Sequence, residues 1–325
     1  MHPDGRHAEL PNASQVGRRV PELEALQSAL TGRYAVDRIV GEGGMATVYL
    51  AEDIKHRRKV AIKVLRPELS VALGSQRFQR EIEIAARLSH PHIHPLHDSG
   101  EAAGLLYYVM PYVEGESLRD RLQRDKHLPL SDALEIGCQV AEALNYAHTE
   151  GVVHRDVKPE NILLSRGHVL VTDFGIARVA HAVGDAAPLT QTGLAVGTPA
   201  YMSPEQAGGQ RDVDARCDVY ALGCVLYEML AGQPPFTGPT VESVLRQHLV
   251  LEAPPITALR PAVPSGITKV LVRALAKVPA DRFPSAAAFM AALRGAHQPG
   301  SQRHAHGDKL MLAVGCAYGG LEARN

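Results

Sequence analysis

Cysteine is scarce in this 325-residue chain, with Cys138, Cys217, Cys224 and Cys316 the whole complement. Four thiols at irregular spacing make neither a disulfide scaffold nor a paired C-x-x-C metal site, and they read as reduced cytosolic thiols. Charge of one sign is missing too. The 34 Lys plus Arg against 35 Asp plus Glu leave a formal net charge of -1, so no global field draws nucleic acid or an anionic membrane, and any anionic ligand must be held by a local arrangement. Long apolar runs are also absent: residues 219–230 are interrupted by Glu228 and residues 310–321 are short and glycine-rich, whereas a spanning helix needs about 20 apolar residues. The first ten residues carry Asp4 and Glu9 and no apolar segment, unlike a secretory signal peptide. A soluble, cytoplasmic chain without a nucleic-acid partner or membrane span is expected.

What is present is a hydrophobic fraction of 45%, enough for a core, in a length that allows about two domains at roughly 150 residues each. Residues 1 to about 20 mix Pro, Gly and scattered charge without period and read as a mobile arm. Leu23, Leu26 and Leu30 fall on one helical stripe that Thr31-Gly32 ends. Residues 34–40, 47–52 and 59–65 are rich in β-branched and aromatic residues and predict an antiparallel meander. One helix, residues 75–88 with Phe78, Ile82 and Ala85 inward, interrupts that sheet and stops before His90-Pro91. After Tyr112 the pattern turns helical: Asp132 and Glu135 form an N-terminal capping signal, and Leu134, Cys138, Ala141, Leu144 and His148 continue one face. Residues 219–230, apolar on nearly every side, predict a central buried helix. A small β-rich lobe, a hinge near Pro111 and a larger helical lobe make a cleft.

Several motifs carry chemistry. Gly41-Glu42-Gly43-Gly44 lies between two predicted strands, where backbone N–H groups can close over phosphates with no Cβ in the way; because it leads into a strand, it is not a dinucleotide fingerprint. Val60-Ala61-Ile62-Lys63 is an apolar strand whose single lysine needs an anionic partner. Phosphate oxygens plus a carboxylate would serve. Glu81 is preferred to Glu83 for that carboxylate because it shares a stripe with Ala85 and Leu88. His90, His92, His94 and His97 alternate, but they bring no cysteine or carboxylate at ligand spacing and read as a solvated polar strand rather than a metal site. His154-Arg155-Asp156-Val157-Lys158-Pro159-Glu160-Asn161 is followed by Asp173-Phe174-Gly175 at the end of a predicted strand, residues 168–172.

With that last pair of motifs the chain, from about Gly32 to Arg294, resembles the protein kinases, and among them the bacterial Hanks-type (eukaryotic-like) Ser/Thr kinases. The resemblance implies an α+β bilobal fold, with an antiparallel N-lobe over residues 32–112, a mainly helical C-lobe over 113–294, an arm and short helix before them and a poorly ordered tail over 295–325. It implies an ATP-dependent serine/threonine protein kinase with Mg²⁺, or Mn²⁺ in its place, acting on protein Ser/Thr hydroxyls. Asp156 matches the base that accepts the hydroxyl proton, Asn161 and Asp173 the metal ligands, Lys63 with Glu81 the pair on the α and β phosphates, and Lys158 the contact to the transferring phosphate. Phosphoryl transfer spreads negative charge over phosphate oxygens, so such a site needs cations and metal carboxylates set in advance rather than a covalent nucleophile.

The same resemblance places Gly41, Gly43 and Gly44 over the phosphates, Met110 at the gatekeeper position, and the two adenine hydrogen bonds on the Pro111 carbonyl and the Val113 N–H. Proline at 111 lacks only an N–H that this role does not use. Val40, Val48, Ala61 and Leu163 would sandwich the base. Thr198 and Glu205 fall in a substrate-facing segment, residues 197–205; Glu205 is expected to pair with Arg282, and Asp218 to anchor the catalytic-loop backbone. Thr190 and Thr192 match activation-loop phosphosites, with Arg155 as their cationic partner, and a homodimer would allow autophosphorylation in trans. The rival reading is a nucleotide-binding pseudokinase that signals by docking, against which the intact Lys63, Glu81, Asp156, Asn161 and Asp173 argue.

Overall fold

A computed structural model describes residues 23–174, 199–210 and 212–297. Thr190, Thr192 and Thr198, the arm before residue 23 and the tail after 297 lie outside the described residues. A helix over residues 23–30 (α1) leads into five strands: β1 (Tyr34–Glu42), β2 (Ala46–Asp53), β3 (Arg58–Leu65), β4 (Asp98–Ala102) and β5 (Leu105–Pro111). Their order in the antiparallel sheet is β1-β2-β3-β5-β4. The expected meander therefore holds for the first three strands, each extended by one or two residues, and β5 inserts between β3 and the edge strand β4.

Strand periodicity explains what each face does. Val60, Ile62 and Val64 of β3 point to one side, where Leu26 and Leu30 of α1 pack with Tyr34, Tyr49, Tyr107 and Val109. The helix before residue 32 is thus an integral cover of the sheet. Ala61 and Leu65 point to the other side with Leu106, Tyr108 and Met110 of β5, and there they meet Leu73 of α2 (Pro67–Leu73) and Phe78 and Ile82 of α3 (Ser75–Ala85). Lys63 belongs by alternation to this second face. The structure corrects the single-helix expectation: α2 is a separate short helix started by Pro67 at its first turn and ended at Gly74, whose φ of +72° favours glycine. It also ends α3 at Ala85 rather than at Leu88. Glu81 lies on the buried face of α3 and Glu83 is exposed.

The histidine-rich stretch is a second correction. Residues 90–97 form an irregular connection, not a solvated strand, and His94 is buried. This connection joins the lobes. Ile93 bridges to Val171, the His94 N–H donates to the Val171 carbonyl at 2.9 Å, and the Val171 N–H donates to the His92 carbonyl at 2.9 Å.

The second lobe holds a small sheet, β6 (Glu116–Ser117), β7 (Ile162–Ser165) and β8 (His168–Val171), and the helices α4 (Leu118–Asp125), α5 (Leu130–Thr149), α6 (Pro204–Ala207), α7 (Arg216–Ala231), α8 (Val241–Val250), α9 (Ile256–Leu259), α10 (Ser265–Ala274) and α11 (Ala286–His297). Every residue of α7 from Cys217 to Leu230 is buried. It is the axis on which α5, α10 and α11 pack through Leu144, Leu271 and Phe289. Asp132 does not cap α5: the N-cap is Pro129, and Asp132 instead sits in the first turn and accepts from Arg121 at 2.5 Å. The last helix continues through His297, past Gly295, where a poorly packed stretch was expected to begin. Among the described residues no helix is long and apolar enough to cross a membrane.

Among the described residues Arg282 is the largest fully buried side chain. All its donors are used: Nη1 and Nη2 reach Glu205 at 2.7 Å each, Nε reaches the Ala276 carbonyl at 2.8 Å, and the second N–H of each terminal nitrogen goes to Arg216 O at 3.1 Å and Lys277 O at 3.0 Å. A bidentate pair in a dry site is held by geometry, and removing one partner leaves an uncompensated charge. Glu205→Ala is therefore expected to lower stability by roughly 3–5 kcal/mol, read as a shift in the urea midpoint; a shift below about 1 kcal/mol would show that the pair is not a structural tie.

Candidate active site

Side chains from both lobes meet in the cleft. From the sheet, Lys63 of β3 and Tyr108 of β5 are cross-strand neighbours and so project together. From the helical lobe, Asp173 follows β8 with φ +70°, a left-handed conformation uncommon for a residue other than glycine. The Lys63 ammonium is ion-paired with Asp173 Oδ2, and the Tyr108 hydroxyl donates to Asp173 Oδ1 at 2.6 Å. Burial pushes the Asp173 carboxyl up, but the Lys63 charge and the two hydrogen bonds outweigh it and hold the group at about 2. The Lys63 ion pair with Asp173 joins the two lobes, and Glu81, the partner expected from the sequence, lies on the buried face of α3.

The loop before β7 supplies the rest. Asp156 Oδ2 receives Lys158 Nζ at 2.6 Å and Asn161 Nδ2 at 3.1 Å, and the same amide donates to the Asp156 carbonyl at 2.9 Å. With both amide protons committed to Asp156, the orientation of Asn161 is set and Oδ1 is its remaining oxygen. The loop is fixed from behind. Asp218, fully buried in the first turn of α7, accepts from the His154 N–H at 2.8 Å, the Arg155 N–H at 2.7 Å and His148 Nε2 at 2.8 Å. Burial opposes the Asp218 charge, yet the His148 hydrogen bond and the neighbouring donors keep its carboxyl below the usual range. Arg155 takes φ +68°, so these bonds hold a strained backbone. His154 Nε2 in turn donates to the Thr172 carbonyl at 2.9 Å, tying the loop to the residue before Asp173.

The remaining candidates fall around the cleft. Gly41 faces Val48 across the β1–β2 pair and Ala61 faces Met110 across the β3–β5 pair. Val40 is exposed at the end of β1, and Leu163 lies on β7. The Gly43 N–H closes on the Ala46 carbonyl at 2.9 Å. Neither Gly43 nor Gly44 has positive φ, and a Cβ on Gly44 would meet nothing within 4 Å. The turn itself does not require glycine there. At the hinge, the Pro111 carbonyl already accepts from His94 Nε2 at 2.9 Å, and Val113 follows two residues on. The Arg155 guanidinium donates to the Val213 carbonyl at 3.3 Å, and its buried Nε finds no hydrogen-bond partner among the described residues. Glu205 and Arg282 are in contact, as described above. Tyr108, His148 and His94 have partners the sequence reading missed: in β5 the alternation of side chains puts Tyr108 on the same face as Met110, and no local pattern connects His148 to Asp218.

A divalent cation fits the oxygen set that Asp173 and Asn161 offer, since hard cations take carboxylate and amide oxygens and complete their shell with water and phosphate. Among the described residues no group of three or more His, Cys, Asp and Glu side chains could hold a metal unaided, which leaves phosphate oxygens to supply the remainder.

Asp218 yields a measurable expectation. Asp218→Ala strips partners from two buried N–H groups and from His148, and a loss of roughly 3–5 kcal/mol is expected. Because the folded-state pKa is depressed, the carboxylate's contribution is complete above about pH 4, the unfolded value, and fades as the pH falls below it. The stability gap between wild type and Asp218→Asn should therefore narrow on acidification below about pH 4; a gap that widens there would contradict a charged, hydrogen-bonded Asp218.

The geometry can be set beside known proteins. The protein kinase domain model matches residues 34–292. The chain is 46% identical over 274 residues to the serine/threonine-protein kinase PknB of Mycobacterium leprae, an overlap covering 82% of this chain and 43% of that protein. It is 45% identical over 276 residues to PknB of Mycobacterium tuberculosis H37Rv, covering 83% and 44%. To PknD of the same organism it is 43% identical over 298 residues, covering 89% and 44%. The chain thus spans under half the length of these curated relatives. With a kinase-domain match across both lobes and the cleft between them, the chain belongs to the protein kinase family, in its bacterial Hanks-type branch.

Proposed function

We propose that this domain is an ATP-dependent serine/threonine protein kinase that transfers the γ-phosphoryl group of ATP to Ser or Thr hydroxyls of proteins. The observation that carries the reading is the convergence on Asp156: one carboxylate holds both Lys158 and Asn161 on Oδ2, and across the cleft Lys63 and Asp173 are already paired. Asp156 orients the acceptor hydroxyl and takes its proton, while Lys158, 2.6 Å away, is placed to meet the charge of the transferring group. Asp173 and Asn161 would hold Mg²⁺ or Mn²⁺, which neutralises phosphate charge when bound. Lys63 can exchange its contact with Asp173 for phosphate oxygens, with Glu81 beside the same face of the sheet. The open space over Gly44 supports a backbone cradle for the phosphates. Ala61, Met110, Val40, Val48 and Leu163 offer the base an apolar slot, closed by the Pro111 carbonyl and Val113 N–H.

Thr190 and Thr192 are proposed as autophosphorylation sites, exchanged in trans within a homodimer. Support comes from Arg155, whose buried Nε has no partner among the described residues and suits an added phosphate. Protein substrates, a cytoplasmic setting and the absence of a nucleic-acid partner belong to the same proposal.

Incubation with Mg-ATP and a mixed protein substrate tests it. Phosphate should appear on Ser and Thr, and Asp156→Asn should lower kcat by about a thousandfold while leaving ATP affinity within a few-fold. Undiminished transfer by Asp156→Asn would remove its assigned role; ATP binding without any transfer by the wild type would favour a nucleotide-binding scaffold.

A further inference from the structure

A histidine side chain completes the edge of the sheet at the hinge. In antiparallel β5, alternate residues turn their main-chain groups to the same edge, and on the β4 side the Val109 carbonyl accepts from the His97 N–H at 2.8 Å. The Tyr112 N–H goes to the opposite edge, where it donates to the Lys59 carbonyl at 3.3 Å. The Pro111 carbonyl therefore lies on the Val109 side, and a continued ladder would bring it the N–H of residue 95. Residue 95 is proline and has none. His94 supplies the donor from its side chain instead, with Nε2 2.9 Å from the Pro111 oxygen.

The chemistry of that contact is fixed. A carbonyl only accepts, so Nε2 carries the ring proton. His94 is 8% exposed, and burial holds its imidazole below the usual histidine range, so the ring is neutral and Nδ1 is an acceptor. Nδ1 is buried and has no hydrogen-bond partner among the described residues. The ring thus forgoes a bond at one nitrogen while keeping the other on Pro111. Main-chain bonds hold it in place: the His94 N–H donates to the Val171 carbonyl at 2.9 Å, and Pro95 disfavours helical backbone at His94.

We propose that His94 is a specificity-determining residue of the base slot: by satisfying the Pro111 carbonyl from within the protein, it relaxes the demand for an amino group at C6 of the purine. This rests on the protein-kinase reading, which sets adenine on that carbonyl. A buried carbonyl with no other donor rejects a base that lacks an N–H, because such a base leaves the oxygen unpaired. Here the oxygen keeps the His94 N–H whichever base enters. A 6-amino group only adds a second donor to an acceptor already served, and a base without one leaves no orphan behind.

The test compares ATP with purine riboside triphosphate, which carries hydrogen in place of the 6-amino group and keeps N1 for the Val113 N–H. Affinities are measured by calorimetry with Mg²⁺, and the ratio of the two is the readout. Wild type should prefer ATP by less than about fivefold. His94→Leu and His94→Phe remove the donor at two side-chain volumes and should raise that preference by about tenfold. His94→Gln returns an N–H donor and should bring the ratio back towards wild type. A histidine with a purely structural role would change both affinities alike and leave the ratio unmoved, which overturns the proposal. So does a wild type that prefers ATP by more than about fivefold, and where neither apolar variant folds this wild-type ratio alone decides. Phosphate transfer from ATP to a protein substrate is read on the same wild-type preparation. Transfer together with an unmoved ratio sinks this inference alone, whereas a wild type that binds neither nucleotide sinks the kinase reading with it.

Discussion

The cleft depends on one buried carboxylate. Asp218 sits where the central helix begins, out of reach of water, and binds the two successive peptide N–H groups of His154 and Arg155. Those groups belong to a loop bent through a left-handed Arg155 that would not hold its shape unaided. From there the order propagates by contact: His154 onto the Thr172 carbonyl, Thr172 into Asp173, and Asp173 onto Lys63 and Tyr108 of the sheet. One chain of hydrogen bonds thus runs from the buried central helix to the far lobe. The site is assembled with its cations and carboxylates already facing each other, which is what stabilisation of a highly charged transition state requires.

The molecule uses buried arginine in two different ways. Arg282 is wholly enclosed and spends every donor on Glu205 and three carbonyls, a tie between the distal helices and the segment that ends at α6. Arg119 stands at the edge of the cleft, still reached by water, and shares its donors among two carboxylates and a hydroxyl. The first is sealed in the core, and the second is partly open to solvent. A chain whose charges nearly cancel in bulk, 34 against 35, therefore carries its electrostatics in a few enclosed clusters.

Much of this was legible in the residues. Strand alternation placed Ala61 and Lys63 on one face, the apolar character of residues 219–230 marked the central helix, and the motifs holding Asp156, Asn161 and Asp173 carried the resemblance to the protein kinases. What local pattern could not show was partnership between distant elements. Lys63 has a carboxylate within the sequence pattern on α3, but its contact with Asp173, in the loop after β8, depends on the relative placement of the lobes. His148 reads as a late helical position and Glu228 as an interruption of an apolar run; each acquires meaning from a residue about 30 to 70 positions away. The helix Pro67–Leu73 carried its own signals, Pro at the start and Gly74 at the end, yet its brevity hid it among the flanking strands.

The most direct measurement on the assembled cleft is ATP affinity with and without Mg²⁺ in wild type, Lys63→Met and Asp173→Asn. If Lys63 meets the phosphates and Asp173 the metal, Lys63→Met weakens ATP binding in both conditions, whereas Asp173→Asn abolishes the enhancement that Mg²⁺ gives to the wild type. An Asp173→Asn protein whose ATP affinity responds to Mg²⁺ as the wild type does would contradict the assignment of the cleft.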